Sequence, residues 1–219
     1  PMTKTTISNE SLGKILFPQF ATLYDLISSE IEDLSDQHLD WDSDRWEWSK
    51  WSIRRQLSHM ASVIYRWLVL RWGDVLFPDD THGIGDLKGL ADSSFNRRMD
   101  EDRYWEMPII MNKLKEAIDL TQCILSERNV GFLRSHTYLR SKGLERSLTI
   151  NAHPTGIIPA DEPGKELMTL EATIRHVYFE QTTHLYNIQR LKRAQGLQSV
   201  VNVPKVGYWI LDGWDRSEP

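Results

Sequence analysis

A carboxylate and an imidazole interrupt an otherwise apolar helical stripe late in this chain, and metal ligation is the chemistry such a pair offers. The segment reads Leu170-Glu-Ala-Thr-Ile-Arg-His-Val-Tyr-Phe-Glu-Gln-Thr-Thr-His-Leu-Tyr-Asn-Ile-Gln-Arg-Leu191. Leu170, Ile174, Val177, Ile188 and Leu191 fall on one helical face, and Glu180 and His184 complete that face where core residues should sit. A buried carboxylate without a partner costs several kcal/mol, on the order of a domain's whole stability margin. Glu180 therefore calls for a cation, a proton or a hydrogen-bond network. Its side chain and that of His184 project one helical turn apart, so both reach a single ion at ~2.1 Å.

A stable site needs a third ligand from a facing element. His59, in Gln56-Leu-Ser-His59-Met-Ala, is the best donor, although it lies on the shoulder of its own apolar stripe. His176 is the rival, but residues eight apart on a helix are separated by ~12 Å along the axis, too far for one ion. It is placed instead to pair with Glu180 or to orient a ligand. From the residues alone a metal-free network stays open: Glu180 with histidine, or with Arg54, Arg55 or Arg66. His153, in Asn151-Ala-His-Pro, is a loop candidate for proton transfer whose ordinary reading is surface, as for His38, His82 and His136. Tyr178 and Tyr186 read as packing residues. Asn187, one turn beyond His184, is placed to contact a substrate. Cys123 reads as a buried structural thiol.

Four amphipathic runs must position these residues, at about 11–34, 52–72, 102–128 and 165–195. Ser52 is the expected N-cap of the second and Gly73 its stop. Pro18 marks a late start or a kink in the first. Pro163-Gly164 precedes the fourth, and Gly196 follows its basic end. The connection 36–51 is acidic and rich in tryptophan, and 73–101 reads as loop. Within 129–162, the runs 137–140 and 144–150 suggest a small β-hairpin. The tail 197–219 is apolar enough to pack back on the body. The expected architecture is all-α: one antiparallel four-helix-bundle domain over residues 1–219, with long inter-helix loops.

The balance of 26 basic against 31 acidic residues argues against nucleic acid as a partner. No apolar run approaches the ~20 residues that span a bilayer. With one cysteine there is no intrachain disulfide, and with no secretory pattern at the N-terminus the cytoplasm is the expected compartment. Several of the nine tryptophans lie outside the helical runs (Trp41, Trp46, Trp48, Trp209, Trp214), where they are placed to line or cover a pocket.

Two motifs resemble the DinB/YfiT-like superfamily. Lys50-Trp-Ser-Ile-Arg-Arg-Gln-Leu-Ser-His59-Met-Ala is similar to the opening of that family's second helix, and Ile174-Arg-His-Val-Tyr-Phe-Glu180-Gln-Thr-Thr-His184-Leu-Tyr-Asn-Ile to its fourth. The resemblance covers the second and fourth helices; the first and third match only in kind and the insertions not at all. It implies a four-helix bundle holding a divalent metal, commonly zinc or nickel, through three histidines. Carried over, His59 takes the helix-two position and His184 the last, while Glu180 stands where the family usually has its middle histidine. A two-histidine, one-carboxylate set suits zinc and is also the facial set of non-haem Fe(II) oxygenases, so iron enters as a third metal.

Family members with assigned activity include transferases and isomerases that use low-molecular-weight thiols. The resemblance thus implies a metal-dependent enzyme that transfers such a thiol to a small electrophile. A hydrolase or oxygenase on the same ligands is the alternative, and a non-catalytic binding protein a third reading. A small-molecule substrate and a homodimer are the expected partners. No residue is singled out as a general acid or base.

Overall fold

The computed structural model describes residues 6–142 and 149–219. These residues are mostly helical. In chain order the helices are α1 (Phe20–Ile31), α2 (Asp36–Asp40), α3 (Ile53–Ile64), α4 (Gly73–Leu76), α5 (Leu87–Ala91), α6 (Met107–Glu127), α7 (Val130–Ser135) and α8 (Leu170–Ala194). A small antiparallel sheet of β1 (Thr137–Ser141), β2 (Ile157–Pro159) and β3 (Lys165–Thr169) has the order β1-β3-β2. No described helix is long and apolar enough to cross a membrane.

The four amphipathic runs form the long helices, and their apolar faces meet. α1 packs on α6, α6 on α3, α3 on α8 and α8 on α1. Phe20, Leu23 and Ile27 face Leu57, Met60, Ile64, Ile110, Leu114 and Ile118 in one core, joined by Ile174, Val177, Ile188 and Leu191 from α8. Each such side chain contributes ~1.5–3 kcal/mol by leaving water.

The helix boundaries differ from the expected ones for local reasons. α1 starts at Phe20, after a 3-10 turn at Gly13–Ile15 and just past Pro18. α3 starts where expected, with the Ser52 hydroxyl accepting from the Arg55 amide. The run ends where expected, at a non-helical Trp72 before Gly73, but it widens into a π-helix over Tyr65–Arg71, and a separate helix, α4, starts at Gly73. There the Trp72 amide donates to the Trp67 carbonyl, five residues back. α6 begins at Met107 rather than 102, with Pro108 in its first turn, where a missing amide costs no hydrogen bond.

The fourth run divides. Lys165–Thr169 is strand β3, with Glu166 and Met168 buried in a period of two, and α8 starts only at Leu170, capped by Thr169. The hairpin expected between 137–140 and 144–150 is corrected accordingly. β1 is a strand, but its partner is β3, Tyr138 lying opposite Met168. Of the other arm, 144–148 lie outside the described residues, and Ile150–Ala152 forms a 3-10 turn. The reading of 73–101 as loop misses α4 and α5, and α7 lies where no helix was expected.

Two further expectations change. Cys123 is exposed on α6, its thiol donating to Glu127, whose carboxylate, more than burial, pushes the thiol pKa up. His153 is no plain surface residue, because its Nε2 lies 3.0 Å from the Tyr208 hydroxyl.

In the tail, Tyr208 and Trp209 are buried, and Trp209 stacks on Tyr186 of α8 at 4.1 Å. Gly207 adopts φ 65° with the Phe179 ring where a Cβ would stand, so only glycine fits. Farther back, the amides of Val200 and Val201 donate to Glu30, which also holds Lys192 at 2.6 Å.

Candidate metal centre

α3 and α8 face each other at the level of the predicted ligands. Gln181 ties them there, its amide donating to the Met60 carbonyl at 2.8 Å. The capped start of α3 sets the rotation that brings Gln56 and His59 inward, and α8 supplies Glu180 and His184. These last three residues come together, each offering a ligand atom within 4.8 Å of the others. Such a group could hold a metal ion.

The hydrogen-bond polarity shows what the cluster lacks. His59 Nδ1 lies 2.9 Å from the carbonyl oxygen of Arg97. A carbonyl only accepts, so Nδ1 carries the proton and Nε2 presents a lone pair. That nitrogen points at Glu180 Oε2, 3.0 Å away. His184 repeats the arrangement. Its Nδ1 lies 2.5 Å from Gln56 Oε1, while Nε2 is 3.4 Å from the same Glu180 oxygen. The orientation of the Gln56 amide follows from its NH2 group, which donates to the carbonyls of Trp48 and Trp51, both at 3.2 Å. Two imidazole lone pairs therefore converge on a carboxylate oxygen that can only accept. One proton relieves one of these contacts; a cation relieves all of them. Three atoms bound tetrahedrally at ~2.1 Å lie ~3.4 Å apart, close to the 3.0 and 3.4 Å between the carboxylate oxygen and the two imidazole nitrogens. Each histidine also has the carbonyl partner on its far nitrogen that orients metal-bound imidazoles.

Burial and these contacts set the charge states. Burial, with His184 close by, pushes the His59 pKa down to about 4, so the ring is neutral at neutral pH. Burial alone would raise Glu180, but hydrogen bonds from His184 and His59 outweigh burial and hold the carboxyl well below its ordinary value, as in the metal-free arrangement where an imidazole N–H donates to it. A neutral imidazole beside an ionised carboxylate can be joined either by an imidazole proton or by a cation.

The arginine alternatives are used elsewhere. Arg54 pairs with Asp36 and Asp40, which gives the acidic stretch before α3 a structural task. Arg55 binds Asp42 and Glu101, and Arg66 reaches the Ala91 carbonyl and Ser62. Among the described residues, Glu180 makes hydrogen bonds or ion pairs with His59 and His184 and with no arginine, Arg66 acting on it only at longer range.

Two openings reach the cluster. On the His184 side a cleft of about 270 Å³ is walled by Trp48, Trp51, Arg97 and Asn187. Trp51 leans over both imidazoles, its ring 5.2 Å from His59 and 6.2 Å from His184. On the other side of Glu180 lies a chamber of about 60 Å³, bordered by His153, His176, Glu166, Arg140 and Tyr208. There the Tyr208 hydroxyl bridges His176 Nδ1 at 2.5 Å and His153 Nε2 at 3.0 Å. His176 is thus turned to the tail and is not a member of the cluster. Among the described residues, the side chains of His38, His82 and His136 make only local hydrogen bonds.

Sequence reasoning missed Gln56, Arg97, Trp51 and Tyr208. Gln56 carried a signal, since a polar residue one turn from His59 on a buried face needs a reason. Arg97 carried none: its part is played by a backbone carbonyl in a loop, at φ 60°. Trp51 and Tyr208 act through tertiary contacts that spacing does not encode. Comparison of the chain with protein-family models, with curated proteins and with solved structures returns no match.

Proposed function

We propose that this protein is a divalent-metal-dependent enzyme on a DinB-like antiparallel four-helix bundle, the bundle being the closed ring of contacts among α1, α6, α3 and α8. His59, Glu180 and His184 hold the ion, zinc or nickel by preference. The observation that carries this reading is the convergence of two lone-pair imidazole nitrogens on one carboxylate oxygen, with both outer nitrogens anchored to carbonyls.

The proposed reaction is transfer of a low-molecular-weight thiol to a small electrophile, in the cleft that opens beside His184. A bound divalent ion stabilises a thiolate, or a hydroxide, at neutral pH. The chain's own residues do the rest. Gln56 and the Arg97 carbonyl keep the imidazoles in the ligating tautomer. Trp51 shields them from bulk water. Glu180 stays ionised and offsets part of the metal's charge. The carboxylate ligand favours a second reading, an Fe(II) oxygenase, because two histidines and one carboxylate form its facial set.

Elemental analysis tests the site, on protein purified without a metal-affinity tag, beside Glu180→Ala and His59→Ala variants shown to be folded by circular dichroism. About one equivalent of zinc, nickel or iron in the wild type, lost from both variants, is the expected result. No metal in the wild type, even after incubation with all three ions, overturns the enzyme reading. The cluster would then be a buried polar network in a binding protein. Thiol-transfer and oxygen-uptake assays separate the two metal readings.

A further inference from the structure

Arg97 takes part in the site twice. Its carbonyl fixes the His59 tautomer, and its side chain borders the cleft beside His184. The guanidinium stands 5.2 Å from the centre of the Trp51 ring and is exposed. Among the described residues it makes no hydrogen bond and no ion pair. Its neighbours are different: Arg98, also over Trp51, is bound by Glu101, and Lys50 is bound by Glu47. Glu47 and Lys50 border the same cleft and cancel, which leaves Arg97 as its uncompensated charge. The Asn187 amide and the Asn96 side chain add neutral polar groups to the wall.

A cationic fork over an indole, paired with no acid of the concave wall around it, is built to receive a planar monoanion. We infer that the cleft binds a small carboxylate-bearing ligand, with Arg97 as the residue that recognises the carboxylate and Trp51 as the apolar surface beside it. This deepens the proposed function by naming the ligand class of the same cleft, but it does not require bound metal. The left-handed backbone of Arg97 makes it testable without harm to the site. A glycine accepts φ near 60° more readily than arginine does and keeps the carbonyl that anchors His59.

The experiment is calorimetric titration of the chelator-treated protein with benzoate, with the neutral isostere benzamide and with phenyl phosphate. Benzoate should bind at least about ten-fold more tightly than benzamide, the difference expected of one charge-assisted bidentate contact. Arg97→Gly should erase that difference, Arg97→Lys should retain part of it and the paired replacement Glu47→Gln with Lys50→Gln should retain it. Circular dichroism checks that each variant is folded. Equal binding of benzoate and benzamide, or no binding of either, overturns the inference. So does a preference that survives Arg97→Gly, or phenyl phosphate as the tightest probe. Metal content is measured separately. Discrimination by a protein that takes up no metal leaves this inference standing and removes the metal reading. Metal uptake without discrimination does the reverse.

Discussion

Gln56 and the carbonyl of Arg97 do for the two histidines what neither could do alone: they decide which nitrogen is bare. Replacing Gln56 by Ala leaves all three ligands in place but frees His184 to rotate or change tautomer. Metal affinity should fall by about 10–100-fold, measured by competition with a chromogenic chelator. The histidine buried beside Glu180 also makes stability depend on pH. Its pKa is about 4 in the fold against 6.5 when exposed, so between these values the unfolded chain binds the extra proton. Stability of the chelated protein is therefore fully present above pH ~6.5 and falls as the pH drops toward 4, by about 3 kcal/mol from this group. Glu180, with its depressed pKa, adds a loss in the same direction below its unfolded value of 4.5. Urea midpoints measured from pH 7 to 4 check this, and His59→Gln should flatten the slope above pH 4.5. The three residues of the candidate site were legible because Glu180 and His184 violate a pattern on one helix, and His59 is the histidine of the helix that faces it. The groups that orient them belong to a loop and to an amide, and leave no periodic trace.

The interior of each long helix followed from its apolar spacing, because that spacing is what packs. The ends did not, because caps and neighbours decide them. Lys165–Thr169 shows the difference. Its alternation was present in the sequence, but five residues directly before a strong helical pattern read as its first turn until a strand partner is known. That partner, β1, lies across a long connection in the chain. At the other end of α8, Glu30 of α1 is fully buried against Lys192, Gln189 and two tail amides. Removing one partner from a buried ion pair leaves the other charge unpaired, so Glu30→Ala should cost about 3–5 kcal/mol. The check is a shift in the urea midpoint at neutral pH, with Glu10→Ala, on an exposed residue, as the control.

Over the whole molecule, the tail closes one side of the site. Its Tyr208 borders the chamber behind Glu180, and Trp209 covers Tyr186. The apolar residues of the tail predicted that it packs, but not where, since an irregular segment has no periodicity to orient it. Deleting residues 206–219 should expose that face of α8, lower the melting temperature by several degrees and open the region around Phe179 and Tyr186 to proteolysis. Stability loss is read by calorimetry, and the cut sites by mass spectrometry. The position of Trp51 has an optical consequence. An indole this close to the two imidazoles emits light next to whatever they hold. Nickel, with its open d shell, would drain that excited state at such short range, whereas zinc, with a filled shell, would leave it bright. Subtracting the emission of a Trp51→Phe variant removes the light of the other tryptophans, so the chain carries its own lamp for telling which ion has arrived.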